Sequence, residues 1–267
     1  MAEKINLGDI VHFSTIDWHG KAAMVIFLRC CPLRCIYCHN YKLLEAEPSN
    51  YVEIEEIESE IAKNEKFIDA VVLSGGEPFM QPHAIEAIAS VAKKYSLAFA
   101  VQTNGFYPAV VKSILKQSII DKVFLDIKAP LSDETLYEKV TRVSGVADRV
   151  KNTLMVCIHA KIDLELITTV FKSITGTDEV NQIAKEIEAA GAAYCPYIIP
   201  YIIQQGRTEH VVPDSDLRVA VKEDDVFSRT ELKELAARAY HTANLKEVRI
   251  RTREGGEEVV YKRNLFV

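Results

Sequence analysis

The chain lacks any apolar run near the ~20 residues that a membrane-spanning helix requires. Its N-terminus, Met1 to Gly8, lacks the charged-then-apolar pattern of a secretory signal. Glycine and proline are sparse, 11 and 9 of 267 residues, which excludes collagen-like and linker-dominated classes. Positive charge is not in excess: 32 Lys and Arg stand against 38 Asp and Glu, a net charge of -6. That balance argues against a general nucleic-acid surface. Lys246, Arg249, Arg251 and Arg253 form a local basic run, but Glu247, Glu254, Glu257 and Glu258 interleave with it and make it a mixed-charge face. Six cysteines are too few for a disulfide scaffold in a chain this long. The expected setting is cytoplasmic and reducing, where clustered cysteines mean metal binding or catalysis.

The length suits one large α/β domain or two small ones, with a core that needs neither metal nor disulfide to hold it. Residues 5–19 read as an N-terminal extension, in part a hairpin. Ala22–Leu28, Ala70–Leu73, Leu97–Val101, Val123–Ile127 and Leu164–Phe171 are short apolar runs typical of buried parallel strands. Between them, Tyr51–Lys66, Pro82–Tyr95, Val111–Lys116, one or two segments within 132–152, and Glu179–Ala190 carry helical patterns. Tyr194–Ile203 is a further strand candidate disturbed by Pro196 and Pro200. Residues 206–228 are irregular and charged, Thr230–His241 is helical, and Glu247–Ile250 with Glu258–Tyr261 reads as a closing strand pair. Six strand-then-helix units without a repeat or linker predict a single domain, residues 1–267: an extension over 1–20, a core over 21–204 and a variable part over 205–267. Strands alternating with helices predict a parallel sheet, and polar residues gather after its strands, at the edge where such sheets place chemistry.

The densest chemistry lies in Cys31-Pro32-Leu33-Arg34-Cys35-Ile36-Tyr37-Cys38, directly after the first core strand. Three thiols within eight residues suit one inorganic centre with one coordination position left open. Structural zinc would normally show two separated ligand pairs, and here Cys157 and Cys195 stand alone, so a zinc site would have to recruit Cys30 or His39. Cys30 follows the strand alternation and is read as a packing residue. One strand later comes Ser74-Gly75-Gly76-Glu77-Pro78; alone, it is a tight turn before a helix.

Cys-x-x-x-Cys-x-x-Cys with aromatic Tyr37 before the last cysteine, followed by Gly75-Gly76-Glu77-Pro78, resembles the radical S-adenosylmethionine (SAM) enzymes. The resemblance implies a partial (βα)6 TIM-type barrel and a [4Fe-4S] cluster on Cys31, Cys35 and Cys38. It also implies SAM on the fourth iron, cleaved by one electron to a 5′-deoxyadenosyl radical that abstracts hydrogen. By the same resemblance Tyr37 lies against the adenine, and Gly75, Gly76, Glu77 and Pro78 belong to the segment that binds the SAM amino group. Gln102-Thr103-Asn104-Gly105 and Leu125-Asp126-Ile127-Lys128 are similar to segments of glycyl-radical-enzyme activases, as is the opening Phe13-Ser14-Thr15-Ile16-Asp17-Trp18. Asn104, Asp126 and Lys128 thereby become SAM-site residues; outside the resemblance, Asp126 and Lys128 read as a salt bridge at a strand end. Two departures stand out: Gln102 replaces an Asp frequent in those activases, and Ile202 follows Ile199-Pro200-Tyr201 where they carry His. Gln204 or Gln205 is the polar substitute.

The resemblance implies an enzyme acting on a glycine of a partner protein, such as anaerobic ribonucleotide reductase, with ferredoxin or flavodoxin as electron donor. Two other readings follow the same residues: a radical SAM enzyme for a small molecule or nucleoside, of the 7-carboxy-7-deazaguanine synthase kind, or for RNA; and a non-catalytic zinc protein. The remaining histidines (12, 19, 83, 159, 210 and 241) are scattered and read as surface or packing residues.

Overall fold

A computed structural model describes residues 4–208 and 221–263. Residues 209–220 of the charged segment 206–228, including His210, lie outside the described residues. Among the described residues ten strands form one sheet: β1 (Ile5–Ser14), β2 (Ala23–Leu28), β3 (Tyr51–Val52), β4 (Ala70–Gly75), β5 (Ala98–Thr103), β6 (Lys122–Asp126), β7 (Asp163–Val170), β8 (Tyr201–Gln205), β9 (Glu247–Thr252) and β10 (Gly256–Lys262). Their spatial order is β10-β9-β8-β7-β6-β5-β4-β2-β1-β3. From β2 to β9 every neighbouring pair is parallel, whereas β1 and β10 join antiparallel at the two ends. Helices α1 (Ile54–Asn64), α2 (Pro82–Lys94), α3 (Pro108–Leu115), α4 (Glu134–Thr141), α5 (Val146–Ala160), α6 (Thr177–Ala189) and α7 (Arg229–Thr242) supply the crossovers. Six βα units and a seventh parallel strand therefore make an open, partial TIM-type barrel.

Alternation along the strands divides the core into two layers. Ile26, Leu73, Val101, Leu125, Leu166 and Ile203 face outward and pack under the helices. Ala23, Val25, Ala70, Val72, Ala100, Phe124, Ile167 and Ile202 face inward and close the barrel interior together with Trp18. Strands buried on both faces need apolar residues at every position, which is why β2 and β4 read as unbroken runs rather than alternating ones.

The N-terminal extension differs from the expected hairpin within residues 5–19. It is one long strand, β1, and its hairpin partner is the first core strand β2, with Leu7 opposite Leu28 and Ser14 opposite Ala23. The connection between them, residues 15–22, crosses the barrel's open side. Trp18 enters the interior with its ring 6.0 Å from that of Phe124, and His19 Nδ1 lies 3.9 Å from Glu257 on β10. The strand expected over Tyr194–Ile203 is also shorter: Ala192–Tyr194 forms a 3₁₀ turn and β8 begins at Tyr201. Pro196 and Pro200 offer no N–H to a ladder, so pairing starts beyond them; the Pro200 carbonyl accepts from Leu166. The polar segment 132–152 becomes α4 and the start of α5, separated where Arg142 and Gly145 take left-handed backbone angles.

Candidate functional site

The C-terminal ends of the parallel strands surround a pocket of about 310 Å³, the low end of the ~300–1,000 Å³ range of small-molecule sites. Cys31, Cys35, Tyr37 and Cys38 line it after β2, Gly75 and Gly76 after β4, Asn104 after β5, and Asp126 and Lys128 after β6. Glu77 and Pro78 do not; both are buried behind it. Of the residues read from sequence, then, the structure brings together nine around one cavity and sets two behind it.

The glycine pair is required by the chain itself. Gly75 takes φ +117°, and a Cβ there would lie 2.2 Å from the Leu28 carbonyl oxygen; a Cβ on Gly76 would lie 2.1 Å from that of Cys30. Only glycine lets the end of β4 press against the start of the cysteine loop. Two backbone bonds then tie them: Gly76 N–H donates to Leu28 O at 2.8 Å and Glu77 N–H to Cys30 O at 2.7 Å. Cys30, at φ +75°, is the corner of this turn. It lines a separate cavity with Lys4, Tyr51 and His83, on the far side of the loop from the other three thiols.

Glu77 carries a different role from the ligand contact expected of it. Its carboxylate accepts from Phe79 N–H (3.1 Å), Thr103 Oγ1 (2.8 Å) and Asn104 N–H (2.8 Å), so its visible bonds are all internal. It clamps the end of β4 to the end of β5 and sets Asn104 in place. Burial pushes its carboxyl up to about 7, against the pull of the three donors. Asn104 in turn donates from Nδ2 to Cys31 Sγ at 3.5 Å and accepts from Phe106 N–H at 3.0 Å. Asn40, just past the cysteines, donates to the Gly75 carbonyl at 3.2 Å.

Burial raises the thiols of Cys31 and Cys35 to about 12 and about 11, and Cys38 rises for the same reason, with Lys128 pulling all three down. Lys128 lies 3.2 Å from Asp126. Burial works against its charge, yet Asp126 and the neighbouring thiols and phenols hold it well above the usual lysine range. The Tyr37 ring packs on Phe171 with centroids 5.3 Å apart, and its buried hydroxyl has no hydrogen-bond partner among the described residues.

Sequence reasoning missed part of the wall: Phe27, Thr169 and Arg251 line the pocket, as do Ser74 and Gln102 of the quoted segments and Gln204, one of the two glutamines named as a polar substitute, each the last or nearly the last inward residue of its strand. Ile16 and Asp17, on the crossing segment, line it as well. The signal was present in the alternation: on β8 the sequence Ile202-Ile203-Gln204 puts Gln204 on the same face as Ile202.

The radical SAM superfamily signature matches residues 25–190, which include the cysteine loop and every strand end just described except those of β8 and β9. The chain belongs to the radical SAM superfamily. This radical SAM protein is 32% identical over 189 residues to a candidate glycyl-radical enzyme activating enzyme of Methanocaldococcus jannaschii, covering 69% of the present chain and 76% of that protein. It is 29% identical over 138 residues to the pyruvate formate-lyase 1-activating enzyme of Escherichia coli K12, covering 49% of the present chain and 54% of that enzyme. Against that second relative the match spans about half the length. Among solved structures, TYW1 with a lysine–pyruvate adduct superposes with a TM-score of 0.61 at 16% identity, over 88% of this chain and 77% of that one. SuiB of Streptococcus suis bound to its precursor peptide also gives 0.61, at 14% identity, over 85% and 48%. These likenesses establish the fold.

The residues fit the group the family carries. Three thiols reach one cavity, a buried phenol there has a polar atom to satisfy, and a carboxylate–ammonium pair stands beside them. Among the described residues, no three His, Cys, Asp or Glu side chains converge as a single metal ion would demand.

Proposed function

We propose that this radical SAM enzyme holds a [4Fe-4S] cluster on Cys31, Cys35 and Cys38, binds SAM in the adjoining pocket, and activates a partner protein by taking a hydrogen atom from one of its glycines. One observation carries the reading: the three thiols share a single pocket with the strand-end segments after β4, β5 and β6. The similarity over three-quarters of the M. jannaschii protein supports a protein substrate. Bound together, cluster and SAM supply a one-electron reductive cleavage that generates a hydrogen-abstracting radical.

The chain's own residues prepare that chemistry. Glu77 fixes the β4–β5 edge, so that Gly75, Gly76 and Asn104 present their polar groups from a rigid rim. Asn104 steadies Cys31 by a direct contact. Lys128 and Asp126 offer one charge of each sign, suited to the carboxylate and ribose ends of a zwitterionic nucleoside ligand. Tyr37, packed on Phe171 with the rings tilted by 39°, gives the flat apolar surface on which a base stacks. The electron comes from a small carrier of the ferredoxin or flavodoxin type, and anaerobic ribonucleotide reductase is a fitting partner.

The test is electron paramagnetic resonance on the anaerobic mixture of reconstituted protein, SAM, reductant and a candidate partner. A glycyl radical doublet that requires all four components is the expected result. Its absence with every glycyl-radical enzyme tried, while 5′-deoxyadenosine still forms, would sink the protein-substrate reading.

A further inference from the structure

On the far side of the pocket from the cysteine loop, β7, β8 and β9 contribute Thr169, Gln204 and Arg251. These three form a chain of bonds: Arg251 Nη1 donates to Gln204 Oε1 at 3.1 Å, and Gln204 Nε2 donates to Thr169 Oγ1 at 3.3 Å. A guanidinium cannot accept a hydrogen bond, so the amide oxygen of Gln204 must face Arg251, and its nitrogen must face Thr169. The orientation of the amide is thereby forced. The capacity left toward the cavity includes two donors, the second N–H of Gln204 and the hydroxyl hydrogen of Thr169, neither of which is used in this chain of bonds. Arg251 is itself held by buried Glu257, which accepts from its Nε at 3.0 Å and its Nη2 at 2.6 Å. Its charge is thus already met within the protein. Gln205 shares none of this, because its amide donates to Phe227 O at 2.7 Å and accepts from Arg253 N–H at 2.9 Å.

We infer that Gln204 and Thr169 are the substrate-reading wall of the pocket, and that they take a neutral hydrogen-bond acceptor, a main-chain carbonyl of the protein segment that brings its glycine to the site. The inference rests on the activase reading for the identity of the substrate. Two features favour a carbonyl over a carboxylate. The wall offers neutral donors, and the cation nearest to it is spent on Glu257. Arg251 is a positioning residue here: it orients Gln204, and Glu257 orients it.

The experiment uses the protein reconstituted with cluster and SAM under anaerobic conditions. The probes are an end-blocked nonapeptide with a central glycine deuterated at Cα, and N-acetylglycine deuterated at the same carbon as a carboxylate competitor. Peptide affinity is measured by calorimetry, and deuterium transfer into 5′-deoxyadenosine by mass spectrometry. Gln204→Glu keeps the contact with Arg251 but replaces a donor by an acceptor, and should weaken peptide binding about tenfold. Thr169→Val, nearly isosteric, should weaken it severalfold. A wall with only a structural role would tolerate Gln204→Glu, so unchanged affinity in both variants overturns the inference. So does a wild-type protein that binds no peptide, or one that prefers N-acetylglycine and loses it in Arg251→Gln. If the peptide binds in a Gln204-dependent way yet yields no deuterium transfer, the wall stands and the activase reading fails. Transfer with affinities insensitive to Gln204 and Thr169 has the opposite meaning.

Discussion

Gly76 and Glu77 show how much of the site depends on single residues that a ligand need not touch. A Cβ on Gly76 meets backbone, which has no flexible side chain to move aside. Gly76→Ala should therefore cost about 2 kcal/mol or more through displaced backbone, read as a lower thermal midpoint of the metal-free protein and a reduced iron content after reconstitution. Glu77 gives a pH signature. Its folded-state carboxyl lies near 7, above the 4.5 of an ordinary glutamate, because burial penalises the charge. A raised value means that the folded protein holds this proton more tightly than the unfolded chain. Its contribution is full below the ordinary value and is lost as pH rises through about 7. Stability of the metal-free protein should fall across that window by on the order of 3 kcal/mol from this group. Glu77→Gln should flatten that slope in chemical denaturation measured at several pH values; an unchanged slope would assign it to another group.

At the scale of elements, the segment between β1 and β2 and the lower rungs of β6, β7 and β9 hold the open barrel's interior. Trp18 fills the space above Phe124, with Lys122 Nζ 5.8 Å from its ring. Lys122 also reaches Glu165 at 2.8 Å, and Glu165 lies 3.3 Å from Arg249, which pairs in turn with Glu257 at 2.8 Å. This buried ladder links three core strands to the edge strand β10, and Glu257 is also the group that holds Arg251 at the pocket. Replacing Glu165 by Leu leaves the buried Lys122 ammonium with the outer Asp163 as its carboxylate partner among the described residues. The expected loss is about 3 kcal/mol, read by urea denaturation. A variant that keeps wild-type stability would show that the ladder is electrostatically slack.

For the whole molecule, one curled sheet brings residues from Ile16 to Arg253 to a single opening, so cluster loading reports on which thiols face it. Cys31→Ala, Cys35→Ala and Cys38→Ala should each abolish iron and sulfide retention. Cys30→Ala, Cys157→Ala and Cys195→Ala should retain both, because Cys30 faces the second cavity and the other two are buried in the helical layer. Iron and acid-labile sulfide analysis separates these outcomes. Loss of the cluster in Cys30→Ala would move the ligand set by one residue.

The sequence determined the alternation of strands and helices, because strands buried on both faces must be apolar throughout. It also determined the spacing Cys31-Cys35-Cys38 and the glycine pair, since both are local and chemically narrow. The pairing of β1 with β2 and the late start of β8 were not legible: apolar content marks a strand but says nothing about its partner, and proline shifts the first ladder bond. The inward turn of Glu77 depended on donors at Thr103 and Asn104, more than twenty residues away. The roles of Gln204 and Gln205, which both line the pocket, diverge for the same kind of reason: Arg251 and Phe227, remote in the chain, fix what each amide does. The chemistry was written in short motifs. Which residues meet across the pocket was decided by the sheet, because hydrogen-bond partners are assigned by distance in space.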